Sequence, residues 1–143
     1  MRVAGLEAVY LAVIACGVAA GASAADAFRV RLTPVPIEAS TAAATTGHGA
    51  ATAQLDGTKL TLKGNFAGLK GAATVAKLHE GAVTGVRGPA IAEFMVPPAQ
   101  TGDFTATLTL TAAQADGVRH GHVYVQIASA SAPDGNLWGW LLP

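Results

Sequence analysis

The sequence predicts an all-β fold, an antiparallel Greek-key β-sandwich with one short helix. Three observations predict it. Eight segments alternate apolar and polar residues with period two, the mark of strands with one buried face. Turn residues separate these segments at short intervals. A single segment, near residue 111, carries helix-capping residues instead.

The segments follow in order. Phe28, Val30 and Leu32 alternate with Arg29, Arg31 and Thr33, which makes the arginines part of a wet face. Pro34 and Pro36 then end the ladder, because proline donates no backbone hydrogen bond. The stretch Ala39 to Ala51 is rich in Ala, Thr and Gly and reads as a loop of low local order, with His48 inside it. Ala51, Ala53 and Leu55 start the next strand, and Asp56-Gly57 turns it into a hairpin with Leu60, Leu62 and Phe66. Gly68 to Gly71 is a second turn before a strand over Thr74 to His79, whose apolar positions are Ala76 and Leu78. A glycine-rich connection from Gly81 to Gly88 leads to a strand over Ala90 to Val96. Phe104, Ala106, Leu108 and Leu110 alternate with threonines at 105, 107 and 109. Thr111 and Gln114 have capping-box spacing, and Gly117 is expected to end the helix after about two turns. The chain closes with two strands, His122 to Ile127 and Leu137 to Leu141, joined by the Pro133-Asp134-Gly135 turn.

Residues 1–24 read as a cleaved signal peptide rather than as part of the fold. Arg2 precedes an apolar run from Ala8 to Ala22, and Ala22-Ser23-Ala24 is a small-x-small cleavage site. The run is shorter than the about 20 apolar residues of a spanning helix, so no spanning segment is expected after processing. Val13-Ile14-Ala15-Cys16 resembles a bacterial lipobox, which makes a lipoprotein anchored through Cys16 the alternative to plain secretion. The apolar run continues past Cys16 to the better small-residue site, which favours secretion. Either way Cys16 is the only cysteine, so no disulfide is available. Residues 25–143 then form one domain, placed outside the cytoplasm in the periplasm or medium, large enough for one core without staples. Nine basic and nine acidic residues cancel, without the basic stripe that nucleic-acid binding needs.

Several motifs, in order, resemble the CHRD (chordin-type) domain family in a bacterial secreted single-domain form. They are Leu55-Asp56-Gly57, Gly64-Asn65-Phe66-Ala67-Gly68-Leu69, Ala76-Lys77-Leu78-His79, Gly85-Val86-Arg87-Gly88-Pro89, Leu108-Thr109-Leu110-Thr111 and the C-terminal hairpin. The resemblance implies an immunoglobulin-like sandwich of the Cu/Zn superoxide dismutase type. CHRD domains commonly carry an AHIH-like strand and a further histidine in a YVxxHT-like strand. Here Lys77 stands in place of the first histidine, His79 matches the second and Ala128 stands in place of the third. One of three potential ligands is kept, so no metal site carries over.

The residues offer two candidate sites. Trp138 and Trp140 share the phase opposite to Leu137 and Leu141, and Tyr124 has the matching outward phase in the preceding strand. Three aromatic rings on one outer face make a candidate binding patch, or else a second small core covered by the N-terminal segment or a loop. His120 and His122, two apart, share a face if they lie on a strand, and with His79 they are weak metal candidates. His79 is expected to face solvent or a loop. Ser129 and Ser131 lack a nucleophile elbow, and the glycines of Gly81 to Gly88 lack the strand-to-helix setting of a phosphate cradle. The expected function is a secreted, non-catalytic module without cofactor, binding a protein or glycan partner or itself, or serving the cell envelope structurally. The alternative is a metal-binding or dismutase-like sandwich, a metal-dependent oxidoreductase with a degenerate histidine site.

Overall fold

The computed structural model describes residues 25–143; the expected signal peptide, with Cys16, lies outside the described residues. Eight strands and one helix follow in the order β1 (Asp26–Pro34), β2 (His48–Asp56), β3 (Lys59–Ala67), β4 (Ala73–Glu80), β5 (Ala90–Phe94), β6 (Gly102–Thr109), α1 (Ala112–Arg119), β7 (Val123–Ser129) and β8 (Leu137–Trp140). All strand pairs are antiparallel, in the order β5-β4-β7-β8-β1-β2-β3-β6. The all-β fold with one short helix is as the sequence predicts.

The two halves of the fold are one continuous sheet. β1 joins them: it pairs with β2 from Asp26 to Leu32, and with β8 at Thr33 and Pro34. The terminal strands β5 and β6 come together at Phe94 and Phe104, whose ring centroids are 5.8 Å apart, so the sheet nearly closes on itself. The core lies inside this curl. Phe28, Val30 and Leu32 meet Ala53, Leu55, Leu60, Leu62 and Phe66 from one half and Leu78, Val125, Ile127 and Leu137 from the other. Burying each large aliphatic side chain contributes roughly 1.5–3 kcal/mol, and the strict alternation in β1 and β2 follows from that.

Local corrections are few. His48 opens β2 instead of lying in the loop, and the preceding segment is pinned rather than loose. Asn136, fully buried, donates from Nδ2 to the Thr46 carbonyl at 2.7 Å and accepts from Ser129 Oγ at 2.7 Å. Ser131 Oγ donates to the Ala44 carbonyl at 3.0 Å. Ser129 and Ser131 therefore tie the loop to the β7–β8 turn. The capping box at Thr111 and Gln114 forms as expected. Gly117 does not end the helix; it is buried within it, where a Cβ would collide with the Glu80 carboxylate. Gly121, at φ +75°, is the terminator: its N–H reaches the Val118 carbonyl and that of His122 reaches Gly117, a Schellman motif. No helix among the described residues is long and apolar enough to cross a membrane.

Candidate binding face

The outer face of the sheet carries a file of side chains across four strands, set by register. His79 pairs with Tyr124, and Tyr124 pairs with Trp140. Thr33↔Trp138 and the Arg29↔Leu142 bridge enclose the next step, which places Arg31 opposite Trp140. Paired residues point to the same side of a sheet, so these rings touch. His79 stacks on Tyr124 with centroids 4.9 Å apart and 10° between planes. Tyr124 meets Trp140 at 4.6 Å and Trp138 edge-on at 5.6 Å, and the indoles lie 6.0 Å apart.

Tyr124 is not at the surface, contrary to its expected exposure. It is 1% exposed, while Trp138 and Trp140 are half-buried. The loop from Gly81 to Pro89 seats on Tyr124 through Gly88, and the rings of His79, Trp138 and Trp140 pack around it. The Tyr124 hydroxyl lies 3.3 Å from both the Gly88 carbonyl and its N–H. His79 Nδ1 bonds the same carbonyl at 2.9 Å. A Cβ on Gly88 would fall on the Glu80 carbonyl, so only glycine lets the loop come this close. The Arg87 guanidinium sits 5.3 Å from the Trp138 ring centre, a cation–π contact.

The free sides of both indoles line an open groove of about 640 Å3, with Arg29, Arg31 and Leu142. Both arginines are exposed. The reading of β1 as a wet strand placed these arginines outside but gave them no site; only the β1–β8 register brings them beside the tryptophans.

The histidines divide. His120 is the C-cap of α1, its Nδ1 on the Asp116 carbonyl at 2.7 Å, and His122 precedes β7. Their rings are neighbours at 5.9 Å, not because they share a strand but because the Schellman turn folds them together. His79 belongs to the aromatic file. Its Nε2 is buried without a hydrogen-bond partner among the described residues. Because a carbonyl oxygen can only accept, Nδ1 is the donor in its bond to Gly88. His79, Lys77 and Ala128 line one cavity of about 230 Å3 together with Gln126 and Asp134. The three positions singled out by the family resemblance thus converge in space, with one imidazole between them. Among the described residues no three His, Cys, Asp or Glu side chains gather to hold a metal.

An antiparallel β-domain with an aromatic outer face belongs to the class of β-modules. The CHRD domain model matches residues 3–141, nearly the whole chain, and the chain belongs to the CHRD domain family. No curated protein and no solved structure matches it.

Proposed function

We propose that the protein is an exported, non-catalytic binding module acting outside the cytoplasm through the Trp138–Trp140 face. The observation that carries this reading is the groove itself. Two half-exposed indoles form one wall, and Tyr124 packs against both. Rigid aromatic rings bury much area for little lost rotamer freedom, so pre-set indoles bind at low entropic cost. A volume of about 640 Å3 is within the range of small-ligand sites, about 300–1,000 Å3.

Trp138 and Trp140 are the only tryptophans, so intrinsic emission reports on this face alone. In the free monomer, acrylamide is expected to quench a substantial part of that emission. Trp138→Gln with Trp140→Gln is expected to leave the protein folded and remove its association with any ligand. Blue, acrylamide-resistant emission in a proven monomer, with unfolding of the double variant, would mark the pair as core and end this reading.

A further inference from the structure

We propose that the groove between β8 and β1 takes an acidic polysaccharide, its carboxylates on Arg29 and Arg31 and its sugar rings against Trp138 and Trp140. This rests on the binding-face reading and adds the chemistry of the ligand.

Charge selects the ligand. Arg29 and Arg31 point outward on β1, with the register setting Arg31 across from Trp140 and Arg29 across from Leu142. Neither guanidinium forms an ion pair among the described residues, where the ion pairs are those of Arg119 with Asp26 and Asp116. No Asp or Glu side chain is among the described residues that line the groove, which also include Pro143, the last residue of the sequence. Arg87, stacked on Trp138, belongs to a separate cavity shared with Asp134, so the groove's own cations are Arg29 and Arg31. The whole chain is electrically balanced, so this clustering is a local excess. Free guanidinium groups bind carboxylates in two-pronged, charge-assisted pairs.

The aromatic wall selects a sugar over a peptide. Indole rings offer flat apolar surface to the C–H faces of pyranose rings. A peptide that binds by strand addition needs an exposed strand edge. The groove is floored by the side-chain face of β1, β2 and β8, whereas the sheet's edges are β5 and β6.

The test is a titration of the purified protein with polygalacturonate, followed by emission of the two tryptophans. Emission is expected to shift, and affinity to fall as salt rises. Arg29→Gln with Arg31→Gln is expected to weaken binding about tenfold or more, since two charge-assisted contacts are lost. Both side chains are exposed, so an unchanged melting temperature confirms that the variant is folded. Methyl-esterified polygalacturonate, which lacks the charges, is expected to bind as weakly as the double variant does to the acidic polymer. Equal binding of the esterified polymer would overturn the acidic class and leave the binding face standing. Tighter binding of polyglutamate would overturn the sugar in favour of an acidic peptide. No response to polygalacturonate would overturn the proposal outright, and the acrylamide measurement then decides separately whether the face is a binding surface at all.

Discussion

At the scale of single residues, Gly88 and His79 decide what the outer face is. Gly88 lets the loop seat on Tyr124 and on His79 Nδ1. Gly88→Ala forces a Cβ onto the Glu80 carbonyl, so the loop must lift. The expected cost is about 1–3 kcal/mol, the usual range for forced overpacking, with a red shift in indole emission as water reaches the rings. Chemical denaturation and emission spectra check both. An unchanged spectrum would mean that the loop does not cover the face. His79 supplies the second prediction. Its Nε2 is buried without a partner among the described residues, and His79 lines a cavity with Lys77 and Ala128. Lys77→His with Ala128→His is expected to create a zinc or copper site of about micromolar affinity or tighter, because three imidazoles then surround one space. The native chain is expected to bind neither metal tightly. Elemental analysis after dialysis reads both proteins, and stoichiometric metal in the native one would refute the expectation.

At the scale of elements, alternation sets the phase of each strand, and packing sets how deeply each apolar residue is buried. β6 has the expected phase, yet Leu108 is only partly buried, since β6 is an edge of the sheet. Its partner Leu60 and the neighbouring Leu62 on β3 are fully buried. Leu62→Ala is expected to cost about 2–5 kcal/mol, as a large-to-small change in a closed core. Leu108→Ala should cost less, and Thr107→Ala, exposed on the other face, at most about 0.5 kcal/mol. Urea midpoints rank the three, and equal costs would show the phase to be misassigned. The helix teaches a related lesson. Thr111 and Gln114 were legible as a capping box because that motif is local in sequence. Gly117 was misleading because a glycine can serve either a terminus or a close approach. Glu80, 37 residues away in the chain, makes it the second.

At the scale of the whole molecule, the prediction concerns export. The N-terminus of the exported protein is expected near Ala25, after the Ala22-Ser23-Ala24 site, and intact mass analysis reads it. A diacylated Cys16 would replace secretion by a membrane tether, and an unprocessed Met1 would refute export by either route. By itself the sequence determined the all-β class, the eight strands and their phase, the capped helix, the C-terminal hairpin and the kinship of the chain. Each of these is written in neighbours along the chain, through period-two burial, turn chemistry and capping. Only the tertiary structure decided what surrounds the tryptophans. Trp138 and Trp140 were visible as a pair, but Arg31 reaches them through pairing between β1 and β8, strands at opposite ends of the chain. Tyr124 had an outward phase and is buried nonetheless, because a loop from another part of the chain lies over it. Phase says which side of a sheet a residue takes; what covers that side depends on contacts between distant segments, which no local pattern encodes.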